Sequence, residues 1–193
     1  MPLANDGDMK IFTPAGKPAS EDLDLLAEQS EELRASGELG GARALGQELA
    51  GMSAQSPLLQ DLTVHFGVSL DERREQQLHV LMVFAGQTAL RRVLDRPILT
   101  DAAVNAMHDT LIETSGSFWE TIADGSAFTQ YLLALRAGRA SADQAVEVGE
   151  AFARLCGQED NPDLRALGAE VFLSAQTLVA TKWAQRETPE AIR

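Results

Sequence analysis

The most apolar part of the chain, residues 78–90, limits the folds that are open to it. Its sequence, LHVLMVFAGQTAL, is apolar on nearly every side of a helix, which is typical of a helix buried at the centre of a protein. The segment follows Ser69-Leu-Asp-Glu72, the pattern of a capping box at a helix N-terminus, and it precedes Pro97, which favours a helix end. We therefore predict a central helix over residues 70–94.

A second segment with the same character lies further along the chain. Asn161 and Pro162 are typical of a helix start, with the asparagine as the N-cap and the proline at the first helical position. The residues that follow become largely apolar between Val171 and Trp183. The sequence therefore predicts a second central helix over residues 162–186.

The rest of the chain also favours helices. Thr100 and Ser141 each precede a helically spaced apolar segment, so both are predicted as N-caps. No stretch alternates strictly between apolar and polar residues, so no sheet is expected. The fold class predicted is all-α, a multi-helix bundle or orthogonal array of about six to eight helices. We expect it to be a single domain over residues 20–188, with residues 1–19 a flexible N-terminal segment and residues 189–193 a C-terminal tail.

The segment 38–53, ELGGARALGQELAGMS, has apolar residues at helical spacing but is a weak helix former. It contains four glycines, Gly40, Gly41, Gly46 and Gly51. Each of them lowers helix propensity by about 1 kcal/mol relative to alanine. The segment is therefore predicted either to let a neighbouring helix approach closely or to be mobile. Within it, RALGQEL echoes RALGAEV at residues 165–171, which we interpret as chance in a sequence rich in these residues.

The charge of the chain limits its partners. The sequence holds 29 acidic and 16 basic residues, a formal net charge of −13. Such a charge repels nucleic-acid phosphates and anionic membrane surfaces, so neither is an expected partner. No apolar stretch approaches the roughly 20 residues that span a bilayer. The N-terminal sequence lacks the basic-then-apolar order of a signal peptide. The expected location is the cytoplasm.

One segment has the pattern of a DNA-binding motif. Residues 59–78, LQDLTVHFGVSLDERREQQL, look like a helix-turn-helix in which Gly67 tolerates positive φ at the turn and Arg73 and Arg74 reach phosphates or base edges. Against this, Arg73 stands where such motifs bury an apolar residue, and the second helix runs into the most apolar segment of the chain. The favoured interpretation is two core helices joined at a glycine.

Three polar residues within the two central helices are candidates for lining an internal ligand cavity: His79, Gln87 and Gln176. His79 lies among apolar residues and one helical turn from Glu75, a setting in which an imidazole can act as a general base. The more common role of such a histidine is a hydrogen-bonded core residue. The two interpretations differ in whether the helix of His79 encloses a cavity.

No metal site, cofactor or catalytic residue is predicted. Di-iron proteins require Glu-x-x-His, and Gln76 and Asn105 occupy the positions of the two glutamates. In an antiparallel hairpin of the helices on either side of residue 97, His108 lies level with Gln87 and about 12 Å along the axis from His79. The single cysteine excludes an intramolecular disulfide. It is expected near a helix C-terminus, where the dipole disfavours a thiolate nucleophile.

No motif is specific enough to name a family, so three classes of function stay open. The leading expectation is a non-catalytic protein-interaction or assembly module, acting through helix packing with a partner protein or as a homodimer. The second is a small-ligand-binding protein or enzyme with a pocket between the central helices near His79. The third, disfavoured by charge, is DNA binding through residues 59–78.

Overall fold

The computed structural model describes four stretches of the chain, residues 20–54, 56–123, 125–138 and 140–187. The segments predicted to be a flexible lead-in and a tail, residues 1–19 and 189–193, lie outside them. The described residues form nine helices: α1 (Ser20–Ala35), α2 (Glu38–Ala54), α3 (Pro57–His65), α4 (Glu72–Val93), α5 (Pro97–Thr114), α6 (Gly116–Ala123), α7 (Ser126–Ala137), α8 (Ser141–Leu155) and α9 (Pro162–Glu187).

The predicted all-α class is confirmed. No strand occurs within the four described stretches, and connections between the helices are short. The helices number nine rather than about six to eight because residues 116–123 form a helix of their own.

Helix α4 lies at the centre of the molecule, as predicted. Each residue from Val80 to Ala85 is at most 2% exposed, so every side of the helix is covered over this stretch. Helices α2, α5, α7, α8 and α9 all pack against it. Burial on every side explains why the apolar residues of this segment do not keep to one stripe.

Helix α9 is the second central helix and packs on α2, α3, α4 and α8. Its fully buried face includes Leu167, Val171, Phe172, Ala175 and Val179, each 0% exposed. The predicted start is confirmed, since the Asn161 side-chain oxygen accepts hydrogen bonds from the backbone N–H groups of Asp163 and Leu164 at 3.0 and 3.2 Å.

The predicted capping box at Ser69 is wrong. Helix α4 begins at Glu72, and its N-cap is Asp71, whose carboxylate accepts a hydrogen bond from the Arg74 backbone N–H at 2.8 Å. Ser69 lies two residues before this cap, and its carbonyl accepts a hydrogen bond from the Arg74 side chain at 2.7 Å. An aspartate in extended conformation directly before the first helical residue can cap the helix from a position that Ser69 does not occupy.

Two other predicted N-caps are also wrong. Helix α5 begins at Pro97 rather than after Thr100, because proline suits the first helical position. Thr100 lies in the first turn, where its hydroxyl donates to the Leu94 carbonyl at 3.1 Å. Ser141 is the first residue of α8, and the N-cap position belongs to Ala140. The Asp143 carboxylate accepts a hydrogen bond from the Ala140 N–H at 3.3 Å.

The glycine-rich segment is a continuous helix, α2, and one of its glycines allows a close helix crossing. A Cβ added at Gly46 would overlap the backbone carbonyl of Ala103 on α5, closer than the 3.0 Å that real Cβ atoms keep. Gly40 and Gly51, by contrast, face open space. The interpretation as a close approach is therefore correct for Gly46, and the neighbouring glycines serve no packing contact of this kind.

A second close crossing joins α8 to α9. A Cβ at Gly149 would overlap the Arg165 carbonyl, and one at Gly168 would lie 2.8 Å from the Phe152 Cβ.

None of the helices in the described part of the chain combines the length and apolar character required to cross a membrane.

Candidate functional site

The structure gives each of the three candidate cavity residues a different neighbour. His79 is half-buried, and its ring meets Phe118 edge-on, with centroids 5.9 Å apart and an interplanar angle of 87°. Burial lowers the pKa of His79, and the Glu75 carboxylate opposes that shift. The ring is therefore a packed, neutral imidazole at physiological pH.

Gln87 lies two turns beyond His79 on α4 and contacts the Nε2 atom of His108 on α5. The prediction that His108 lies level with Gln87 is therefore confirmed. Burial lowers the pKa of His108 as well; Asp109 raises it and Arg91 lowers it further. A spacing of eight residues on one helix separates Gln87 from His79 by about 12 Å.

Gln176 belongs to a third set of contacts, centred on Arg92. The Arg92 guanidinium donates to the side-chain oxygens of Gln176 on α9 and Gln144 on α8. The same group lies 5.6 Å from the centroid of the Phe172 ring. Gln144 in turn donates to the Leu135 carbonyl at 3.0 Å. Gln176 is thus part of a network that ties α4, α7, α8 and α9 together, and it is not placed beside His79 or Gln87.

In the segment with the helix-turn-helix pattern, both arginines bond to other groups of the same chain. Gly67 has φ of 63°, as the pattern requires. Arg73 donates two hydrogen bonds to the Leu155 carbonyl, at 2.9 and 3.2 Å. Arg74 bonds to the Ser69 carbonyl and forms an ion pair with Asp71 at 3.5 Å. Of the two guanidinium groups that would contact DNA, that of Arg73 therefore holds the N-terminal end of α4 against the end of α8, and that of Arg74 bonds within the turn before α4.

Cys156 is buried at the C-cap of α8. Burial raises the pKa of its thiol to about 11, although Arg74 and Arg73 act in the opposite direction. A thiol with this pKa carries almost no thiolate at neutral pH. Within the described stretches no group of three or more His, Cys, Asp or Glu residues is arranged to hold a metal ion.

The largest polar concavity that we describe lies where α2 and α9 meet the start of α5. This α2 pocket is open to solvent and has a volume of about 600 Å³. It is lined by Ser36, Gly37, Glu38, Gly41, Arg96, Trp183 and Arg186. A smaller pocket of about 360 Å³ adjoins it on the other side of Arg96, where Glu32 and Asp95 add negative charge.

Ion pairs hold the walls of the α2 pocket. Arg96 pairs with Glu38 at 3.3 Å. Arg186 pairs with Glu48 at 2.8 Å, and Lys182 also contacts Glu48. Hydrogen bonds from Lys182 and Arg186 lower the pKa of Glu48, more than burial raises it. The Glu48 carboxylate therefore anchors Lys182 and Arg186 of α9 on α2.

A second concavity, the α3–α9 groove, is mainly apolar. It has a volume of about 450 Å³ and is lined by Leu58, Glu170, Leu173, Ser174, Thr177, Leu178 and Thr181. A further groove of about 440 Å³ between α2 and α5 is polar, with Arg43, Asn105, Asp109 and Glu113 among its lining residues.

Sequence reasoning missed the α2 pocket and the α3–α9 groove. The pocket is built from residues 36–41, 96 and 183–186, which lie far apart in the sequence and form no local motif. The one signal was Gly41, a glycine inside a helix, which indicates a place where a side chain is left out. Comparison of the chain with protein-family models, curated proteins and solved structures gives no match.

Proposed function

We propose that this protein is a non-catalytic interaction module that binds an amphipathic helical segment of a partner protein in the α3–α9 groove. The observation that carries the proposal is the groove itself, where Leu58, Leu173 and Leu178 line an open surface. Leucines at such a surface gain about 25 cal/mol for each Å² of apolar area that a partner covers. A helix lying in an apolar groove is a common mode of peptide recognition.

Helix α3 leaves apolar side chains available for a partner. Of its nine residues, only Leu59 and Thr63 are buried. Leu58 is half-buried at the groove, and Val64, near the C-terminal end of the helix, is 81% exposed. Leu173, on the opposite wall, is 38% exposed. The two walls therefore present apolar surface without any rearrangement of the core.

Two of the three hydroxyls that line the groove have acceptors within α9. The Thr177 hydroxyl donates to the Leu173 carbonyl and the Ser174 hydroxyl donates to Glu170, both at 3.2 Å. Because these hydroxyls already have acceptors, covering them with an apolar side chain leaves no buried donor unsatisfied. These two hydroxyls can therefore be covered at little desolvation cost.

Charge defines the chemistry of the partner. Glu170 is the one ionisable residue among those that line the groove, and the whole chain carries −13. An amphipathic helix with leucines on one face and lysines or arginines at its edges would match both the apolar walls and the negative field. Two copies of this chain would instead repel each other, which favours a different protein as the occupant.

The other two functional classes have less support. His79 contacts Phe118, Gln87 contacts His108, and Gln176 contacts Arg92. Because these three contacts are separate, the placement of the residues does not suggest one small ligand. Arg73 and Arg74 are engaged with the protein's own carbonyls, which leaves them poorly placed for DNA.

The proposal is tested with a fluorescent synthetic helix of about 15 residues, with leucines at i, i+3, i+4 and i+7 and lysines elsewhere. Anisotropy titrations compare the wild type with Leu173→Asp and with Leu133→Asp, a control on α7 whose leucine is 59% exposed. We expect micromolar binding that Leu173→Asp weakens by tenfold or more and that Leu133→Asp leaves unchanged.

Two results would overturn the proposal. Equal binding by wild type and Leu173→Asp would mean that the peptide is held by net charge alone. A stable dimer in light scattering that Leu173→Asp dissociates would assign the groove to a second copy of the chain. A matched peptide with glutamate in place of lysine is expected to bind at least tenfold more weakly.

A further inference from the structure

The α2 pocket has a character opposite to that of the chain as a whole. Its lining carries two guanidinium groups, Arg96 and Arg186, and a single carboxylate, Glu38, in a protein of net charge −13. We propose that this pocket binds a small organic anion: a carboxylate or phosphate monoester attached to an apolar group. The inference is independent of the α3–α9 groove.

The two arginines line the same pocket, and each keeps N–H donors for an oxyanion. The Arg96 side chain is 54% exposed and contacts Glu38 through one guanidinium nitrogen at 3.3 Å. Arg186 uses one nitrogen for Glu48 at 2.8 Å and another for the Lys182 carbonyl at 3.1 Å. A guanidinium has five N–H donors, so each arginine retains donors beyond these contacts. Paired or forked guanidinium donors suit the oxygens of carboxylates and phosphates.

Glu48 keeps Arg186 in position without occupying the pocket. Its carboxylate accepts from Lys182 and Arg186 but is not among the lining residues. The pocket also borders the first turn of α2, whose positive end adds to the preference for negative charge. Among the residues that line the pocket, Glu38 is the one carboxylate that would repel a bound anion, and the exposed Arg96–Glu38 pair is weak enough to rearrange.

The apolar half of the ligand is inferred from Gly41 and Trp183. A Cβ at position 41 would lie 3.8 Å from the Trp183 ring and 3.9 Å from the Arg186 Cδ. Because glycine supplies no side chain, this part of the indole and the arginine stem border the pocket directly. Trp183 is otherwise buried, at 6% exposure. Aromatic and aliphatic surface beside charged donors is typical of sites for small organic ligands, and the pocket lies within their usual range of about 300–1,000 Å³.

The probe compounds test separately whether binding needs the oxyanion and whether it needs the apolar group. Phenyl phosphate and benzoate carry both an oxyanion and an apolar ring, inorganic phosphate lacks the ring, and benzamide lacks the charge. Binding is followed by the fluorescence of Trp183 in a Trp119→Phe background and by the rise in melting temperature. We expect phenyl phosphate or benzoate to bind at least about fivefold more tightly than inorganic phosphate and benzamide.

Matched arginine variants test the charged half. Arg96→Gln is compared with Arg154→Gln, because Arg154 is equally exposed at 54% and is likewise paired with a glutamate, at 3.4 Å. We expect Arg96→Gln to weaken binding by about tenfold and Arg154→Gln to leave it unchanged. Equal effects of the two variants, or equal binding of benzamide and benzoate, would overturn the proposal.

Matched glycine variants test the pocket. Gly41→Leu places a side chain against Trp183, whereas Gly40→Leu adds the same side chain on the same helix where nothing lies within 4 Å. Both substitutions favour the helix, so both variants should fold. We expect binding to be lost in Gly41→Leu alone. Unchanged binding in Gly41→Leu, or no response of the wild type to any of the anions, would overturn the proposal.

Discussion

The helix pairs α2–α5 and α8–α9 both come into unusually close contact, but they do so in different ways. In the first pair a single glycine, Gly46, faces the backbone of α5 at Ala103. In the second pair both helices contribute a glycine, because Gly149 faces the Arg165 carbonyl and Gly168 faces Phe152. Each crossing is possible because a Cβ is missing where two backbones meet.

The two similar heptapeptides, RALGQEL and RALGAEV, each place a glycine at a close helix contact. Gly46 and Gly168 hold the same place in the two echoed heptapeptides, and each follows a fully buried leucine, Leu45 and Leu167. Their environments differ in how near the closest atom lies, since a Cβ at 46 would be 2.0 Å from the Ala103 carbonyl oxygen and a Cβ at 168 would be 2.8 Å from the Phe152 Cβ. Tolerance of a larger residue therefore depends on the partner atom and not on the local sequence.

The largest effect is expected for Gly46→Ala. The Ala103 carbonyl is part of the α5 backbone and cannot turn away, so the two helices must separate. We expect a loss of about 3 kcal/mol in the free energy of unfolding, at the upper end for overpacked cores. Urea denaturation followed by circular dichroism measures it. Gly149→Ala should give a similar loss, and a value near zero for either variant would contradict the close contact.

A smaller effect is expected for Gly168→Ala. The new methyl group would lie 2.8 Å from the Phe152 Cβ and 3.0 Å from the Gly149 Cα. These overlaps are less severe than the 2.0 Å approach to the Ala103 carbonyl oxygen at position 46, so we expect a smaller loss of about 1–2 kcal/mol in the free energy of unfolding. The double variant with Gly149→Ala should be less destabilised than the sum, because one separation of the helices relieves both overlaps. Strict additivity would show that the two glycines act independently.

Helix α2 also offers substitutions that should raise the free energy of unfolding. Gly40→Ala and Gly51→Ala add a methyl group to α2 with nothing within 4 Å of it. Each should raise the free energy of unfolding by about 0.5–1 kcal/mol through helix propensity and a less flexible unfolded chain. Thermal and urea unfolding measure the gain. Destabilisation of both variants by the amount seen for Gly46→Ala would mean that packing does not distinguish the glycines.

The smallest expected effect is a difference between the two helix pairs, α2–α5 and α8–α9, in how their stability depends on pH. His108 lies on α5, and α8–α9 contains no histidine. Burial lowers the pKa of His108 from 6.5 in the folded state, so the unfolded chain binds more protons below that pH. Stability is therefore fully present above about pH 6.5 and falls as the pH is lowered towards the folded pKa. Hydrogen exchange should show this loss in α5 before α8–α9, and His108→Gln should reduce it.

Much of the fold follows from the sequence, because helix periodicity and burial are local properties. The apolar segment 78–90 and the Asn161 cap are readable without any tertiary contact. The predicted caps at Ser69 and Thr100 are wrong because several neighbouring residues are able to begin the helix, and backbone geometry selects Asp71 as the N-cap of α4 and Pro97 as the first residue of α5. Single-sequence patterns fix the existence of an element better than its boundary.

The two concavities were not predictable in the same way. The α2 pocket needs Gly41, Arg96 and Arg186, each of which is an ordinary helix residue by local pattern. Their meeting depends on how α2 crosses α9, which no periodicity encodes. The histidines drew attention because of their chemistry, and the structure instead gives His79 and His108 to packing against Phe118 and Gln87.

The contact between Glu48 and Arg186 can form only late in the synthesis of the chain. The two residues are 138 positions apart in the chain. At roughly 5–20 residues per second, a ribosome needs about 7–28 s to travel that distance. During this interval α2 has been made but its carboxylate has no cation from α9, and the wall of the α2 pocket is incomplete. The proposed anion binding at the pocket therefore requires that residue 186 has been made and has emerged.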